Sequence, residues 1–167
     1  MGGDPPLRRF SFYIPSPSPS KSNPIQSTTT PQESATMSDI MFACIHNAGR
    51  SQMAAAFFNR HKTQPSIKGI SAGTNPATEV HPVVREIMLE VGIDLSNMTP
   101  VKLTTELAQT VSTIVTMGCG ETCPYVPGVK IVDWAIEDPK NKSVDEARVI
   151  RDVIEQRIKD FIAENKY

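Results

Sequence analysis

One cysteine and one arginine, with five residues between them in Cys44-Ile45-His46-Asn47-Ala48-Gly49-Arg50-Ser51-Gln52, form the arrangement in this chain best suited to chemistry on an oxyanion. The apolar run Ile40-Met41-Phe42-Ala43 leads into Cys44, and the helix-forming run Met53-Ala54-Ala55-Ala56-Phe57-Phe58 follows Gln52. The pattern reads as strand, loop, helix. Backbone N–H groups of a short loop at a helix N-terminus can turn inward and cradle a tetrahedral anion. Gly49 is expected to take the positive φ such a loop requires. The planar fork of Arg50 matches two oxygens of the anion. Cys44 would lie beneath it, with the helix end and Arg50 favouring the thiolate, which is the reactive form. Ser51 can hydrogen-bond the sulfur, and Asn47 can brace the loop through side-chain bonds to backbone. The expected anion-binding set is Ile45, His46, Asn47, Ala48, Gly49, Arg50 and Ser51. On spacing alone, Cys44 also fits a small core residue at the end of a buried strand.

Two other groups are candidates. Asp138-Pro139 fits an ordinary turn. Cys119 and Cys123 are four residues apart among Gly118, Gly120 and Pro124. On one helical turn their Cα atoms fall roughly 6 Å apart, within disulfide reach. Half of a zinc site and a pair of inert thiols are the competing readings. His46, His61 and His81 offer no paired ligand spacing, so no metal is expected. His81 reads as a helix cap and Trp134 as packing.

The stretch His46 to Ala54 resembles the loop of arsenate reductases built on the low-molecular-weight tyrosine phosphatase fold. Ser71-Ala72-Gly73-Thr74, Thr116-Met117-Gly118-Cys119-Gly120, and Asp133-Trp134 followed by Asp138-Pro139 resemble further motifs of that family, in the same order. The resemblance covers roughly residues 39–165. It implies Cys44 as nucleophile, Arg50 as anion clamp, Asp138 as general acid, and Cys119 with Cys123 as resolving thiols. It implies thiol-dependent reduction of arsenate to arsenite, with phosphate as competing anion and no tightly bound cofactor. The electrons would come from an external thiol: thioredoxin, glutaredoxin or a small thiol. Three features favour reduction over phosphatase chemistry. Ala48 stands where the phosphatases usually carry a second loop cysteine, Gln52 stands where they usually carry proline, and the Cys119–Cys123 segment is not shared with them. The pair is closer than in the best-known three-cysteine relay, which resembles the subgroup that passes arsenic to a small thiol. The alternative function is a phosphatase of tyrosyl or small phosphate esters.

These groups need a scaffold. The chain has 167 residues, 39% of them hydrophobic, and a net charge of -1. That suits one domain with a real core and gives no reason to expect nucleic acid or a membrane as partner. Three cysteines do not read as a secreted disulfide framework, so a reducing, cytoplasmic compartment is expected. Residues 1–37, rich in Pro, Ser and Thr, hold half of the fourteen prolines and read as a disordered tail. Arg8 and Arg9 among serines also suit a mitochondrial transit peptide, though Asp4, Glu33 and the prolines oppose it. Met37 sits at the domain edge as an alternative start. Residues 38–167 read as an α/β domain, low-molecular-weight tyrosine phosphatase-like, with a four-stranded parallel sheet and helices on both faces. Strands are predicted over Ile40 to Ala43, Ile67 to Ala72, Thr113 to Met117 and Val129 to Val132. Helices are predicted from Arg50, from His81-Pro82 to Gly92, from Thr104 to Leu107, and from the capping box Ser143-x-x-Glu146 onward. Cys44 then falls at the strand C-terminal ends, where such sheets bind ligands.

Overall fold

The computed structural model describes residues 39–167; the predicted tail, residues 1–37, lies outside them. Four strands, β1 (Ile40–Cys44), β2 (Gly69–Gly73), β3 (Thr113–Thr116) and β4 (Lys130–Asp133), form one sheet in the order β2-β1-β3-β4. All pairings are parallel, with Phe42 opposite Ser71 on one side and Val115 on the other. The helices are α1 (Arg50–His61), α2 (Pro82–Glu90), α3 (Thr105–Ala108) and α4 (Val144–Asn165).

The period of two along β1 sorts the core. Ile40, Phe42 and Cys44 pack into one layer with Met53, Phe57, Ile87 and Ile154 of α1, α2 and α4. Met41 and Ala43 pack on the opposite face with Ile114, Leu103 and Ala108, where α3 is the cover. Both faces carry helices, as expected, but unequally: three longer helices on one side and a single short one on the other. On the thicker side Phe42 sits between Phe58 and Trp134, with ring centroids at 5.7 and 6.2 Å. Trp134 also meets Phe161 edge-on, so its role is packing.

Helix ends follow the predicted chemistry. Thr104 accepts a hydrogen bond from the Leu107 N–H, and Ser143 with Glu146 completes a capping box. Each such cap is worth about 1 kcal/mol. The α4 face of Ile150, Ile154, Ile158, Phe161 and Ile162 is buried. Arg151, itself buried, donates to the Ile87 carbonyl and to Glu90, tying α4 to α2.

The strand bounds shift by one to two residues from those predicted. Val129 to Val132 is predicted only as a strand, with no place in the sheet; β4 is an edge strand, largely exposed, with Ile131 42% accessible. An apolar run cannot by itself tell a central position from an edge. Among the described residues no helix is long and apolar enough to cross a membrane.

Candidate active site

Cys44 ends β1, the loop 45–49 follows, and Arg50 and Ser51 open α1. Each carbonyl oxygen of this loop is engaged. Those of Cys44, Ile45, His46 and Ala48 accept from the N–H groups of Thr74, Asn75, Ala77 and His81 at 2.8–3.1 Å. That of Gly49 accepts from Met53 N–H at 3.0 Å, and that of Asn47 from Gln52 Nε2 at 3.1 Å. In a trans peptide the C=O and N–H point in opposite directions. Anchoring the carbonyls outward therefore turns the N–H groups toward the loop interior, and the Asn47 N–H lies 3.2 Å from Cys44 Sγ. Ser51 Oγ is 3.0 Å from the same sulfur. Because Ser51 Oγ accepts from Asn47 Nδ2 at 2.8 Å, its own proton is free to go to the sulfur.

The left-handed residue of the loop is Asn47, with φ 49°, and not Gly49, whose φ is -143°. This corrects the sequence reading. Asn tolerates that region better than most residues, and here its side chain also compensates. Asn47 Oδ1 accepts from Val101 N–H at 2.8 Å and from Gln52 Nε2 at 3.2 Å. Gly49 has a different reason to be small: a Cβ there would lie 3.0 Å from Pro139 Cγ.

That contact brings the Asp138-Pro139 turn against the loop, and Arg50 fixes it there. Arg50 Nη2 meets Asp138 Oδ2 at 2.7 Å, and Nη1 donates to the Ile136 carbonyl at 3.0 Å. The other carboxylate oxygen of Asp138 accepts from Lys140 N–H at 2.9 Å. Buried Arg50 Nε and His46 Nδ1 have no hydrogen-bond partner among the described residues. The guanidinium lies over Gly118, where a Cβ would come within 2.6 Å of Nη1. His81 occupies the cap position of α2, as predicted, though its side chain makes no capping bond. Its backbone holds Ala48 instead, and burial holds its imidazole pKa below the usual 6.5, opposed by the Asp138 charge and helped by Lys140 and His46.

Cys119 and Cys123 are joined as a disulfide, with Cα atoms 5.8 Å apart, while Cys44 is a free, buried thiol. Cys119 packs in the core layer opposite to that of Cys44. The structure therefore gathers Cys44, Asn47, Arg50, Ser51 and Asp138 into one cluster. It leaves Cys119 at the rim, linked to that cluster through its neighbour Gly118. Sequence reasoning missed three participants. Gln52 braces Asn47, Val101 reaches it from far along the chain, and Gly118 makes room for Arg50. For Gln52, its place one residue after Arg50-Ser51 was the available signal.

The sequence profile of the low molecular weight phosphotyrosine protein phosphatases matches residues 39–166. The chain belongs to that family. A Halobacterium salinarum protein is 39% identical over 127 residues, covering 74% of this chain and 89% of that protein. The glutaredoxin arsenate reductase of a Synechocystis strain is 32% identical over 131 residues, 76% of this chain and 98% of the relative. Among solved structures, the thioredoxin-dependent arsenate reductase of Corynebacterium glutamicum superposes with a TM-score of 0.67 at 35% identity. That match covers 78% of this chain and 63% of the other.

Proposed function

We propose that the protein reduces arsenate to arsenite with electrons from an external thiol. The observation that carries this reading is the loop itself: its carbonyls are all bonded away, the Asn47 N–H meets the sulfur of the free Cys44, and Arg50 closes it. Relatives that cover most of their length with this chain are named for the same reaction.

The geometry supports the following roles. The Cys44 thiolate attacks arsenic, and one arsenate oxygen leaves as water after taking a proton from Asp138. A positioned acid of this kind contributes roughly 10²–10⁴-fold. The loop N–H groups and Arg50 hold the remaining oxygens, and the unpartnered Arg50 Nε is a donor still available to one of them. A second thiolate then attacks Cys44 Sγ. The S–As bond breaks, its electron pair reduces arsenic from the +5 to the +3 state, and two sulfurs become a disulfide.

We assign the second thiolate to Cys119, followed by exchange with Cys123. A disulfide between Cys119 and Cys123 with Cys44 free is the pairing that such a relay leaves after one turnover. Thioredoxin, glutaredoxin or a similar dithiol would then restore the pair. One observation favours a second reading, in which a small thiol attacks directly: the Cys119 sulfur packs on the far face of the sheet from Cys44.

The test is turnover with arsenate and with p-nitrophenyl phosphate, each with thioredoxin, glutaredoxin or glutathione supplied. Arsenite release that depends on a thiol system is expected. Efficient ester hydrolysis with no arsenite would return the protein to phosphatase chemistry. A single turnover of reduced enzyme without added thiol separates the two resolving routes, because only the internal relay releases arsenite.

A further inference from the structure

His81 stands where three segments meet: the loop 45–49, the start of α2 and the Asp138-Pro139 turn. The steps described above give its side chain no part. Its backbone N–H holds the Ala48 carbonyl at 2.9 Å, which fastens the residue to the loop. A Cβ at Gly49 would lie 3.7 Å from Cδ2 of its imidazole and 3.0 Å from Cγ of Pro139. The ring therefore packs on the loop beside the turn that carries Asp138. It is half-buried, makes no capping bond to α2 and belongs to neither apolar layer.

Charged and titratable groups face this ring from each neighbouring segment. They are His46 from the loop, and Asp138 and Lys140 from the turn. Arg50 is the fixed cation of the site and is paired with Asp138. On the side of α2, Arg85 is paired with Glu79. Burial holds the His81 pKa below 6.5, so the ring is uncharged at neutral pH and gains its proton in mild acid.

We propose that His81 sets the affinity of the loop for oxyanions, because protonation of its imidazole places a cation against Gly49. The role rests on the reading that the loop binds an oxyanion. A phosphate-type anion gives up its second charge in mild acid, and a cation gained by the wall of the site offsets that loss. Filling the loop with a dianion adds two negative charges near His81. Protonation of Asp138, needed for its role as acid, removes one. The balance favours the imidazolium. By linkage, a charged His81 holds the anion more tightly to the same degree.

Sulfate is the probe, since it is tetrahedral, stays a dianion at neutral and mildly acidic pH, and does not react with the thiol. The ring protons of the three histidines, His46, His61 and His81, are followed by NMR through a pH titration of the full chain at constant ionic strength, without and with saturating sulfate. The His81 midpoint is expected to rise by about half a pH unit, which corresponds to about threefold tighter sulfate binding when the ring is charged. His61, paired with Glu155 between α1 and α4, is the internal control and should keep its midpoint. In His81→Gln the matching part of the gain in sulfate affinity on acidification should be lost, a change that a packing role alone would not cause. If that variant does not fold, the ring titration of the unsubstituted chain still decides. Sulfate binding with an unmoved His81 midpoint, or with an equal shift at His61, overturns the proposal and leaves the oxyanion reading standing. No sulfate binding at any pH removes the oxyanion reading, and the proposal falls with it.

Discussion

Between Cys44 and Gly49 each carbonyl is tied to a residue outside the loop, to Gln52 or to Met53 of α1. From Gly118 to Cys123 the bonding is local. Thr122 N–H and Oγ1 both donate to the Cys119 carbonyl, Cys123 N–H reaches the Gly120 carbonyl at 3.4 Å, and the disulfide closes the same short turn. One sulfur sits in a site held from all sides, whereas the other two sit in a segment held mainly by itself. A nucleophile that must meet an anion in one geometry gains from being fixed in advance. A thiol that must attack, exchange and then be reduced by a partner needs freedom. Glycines at φ 78° and 51°, Gly118 and Gly120, bracket Cys119 and suit a turn that rearranges.

Substitutions can break or sharpen this contrast. The largest effect is expected from Cys44→Ser, which should abolish arsenate reduction while leaving the thermal unfolding midpoint within a few degrees. A hydroxyl has no accessible anionic form at neutral pH. Arsenite release at the normal rate would remove Cys44 from the chemistry altogether.

Asn47→Ala comes next. It removes the partners of Ser51, Gln52 and the Val101 N–H, and places alanine at φ 49°. A loss of about 3–5 kcal/mol in urea unfolding is expected, from buried groups left unpaired and from backbone strain. In the folded fraction kcat/KM should fall about 10²-fold, because the anion site loses its shape. If stability and activity both stay near normal, the loop is not held in the way its bonds suggest.

Cys119→Ser should behave in the opposite sense. Opening so short a disulfide loop costs the oxidised protein at most about 2 kcal/mol. Thioredoxin-coupled turnover should nevertheless fall by about 10²-fold or more, since the internal thiol is gone. Retention of full activity with glutathione and glutaredoxin would assign resolution to the small thiol and leave Cys119 a bystander.

The smallest effect concerns pH. The His81 imidazole has its pKa lowered in the fold, by burial first, with the charges of Asp138, Lys140 and His46 facing it. Below pH 6.5 the unfolded chain therefore takes up a proton that the folded chain does not yet hold. Stability contributed at this position is present above pH 6.5 and declines as pH falls from there toward the lowered value. His81→Gln should flatten that part of the stability profile between neutral and mildly acidic pH in denaturant titrations. An identical slope in both proteins would mean that other groups control it.

Much of the scaffold was legible because its signals are local. The β1 run, the Ser143–Glu146 capping box, Pro82 at the start of α2 and the buried stripe of α4 each lie within a few neighbouring residues. The same holds for the Cys44-to-Arg50 spacing. What could not be read depends on distant partners. Asn47 carries the positive φ because Val101, far along the chain, satisfies its side chain. Arg50 pairs with Asp138 and lies over Gly118, two contacts that no spacing encodes. The separation of Cys44 from Cys119 is not a matter of strand parity either: Met117 still packs in the layer of Cys44, and the chain crosses to the other layer at Gly118, whose φ is 78°. The exposure of β4 depends likewise on its position in the strand order.

That exposed strand bears on behaviour in concentrated solution. Among the described residues nothing pairs with the outer edge of β4, and such an edge offers its backbone groups to any extended segment that drifts past, including the same strand of another molecule. Lys130 at its start and Asp133 at its end act as gatekeepers around the apolar pair Ile131-Val132. Lys130→Val would remove one of them, and light scattering on incubation should then grow faster for a chain whose fold and catalysis are untouched. The two charges serve the colloidal fate of the protein, a separate demand on the sequence from anything the sulfurs require.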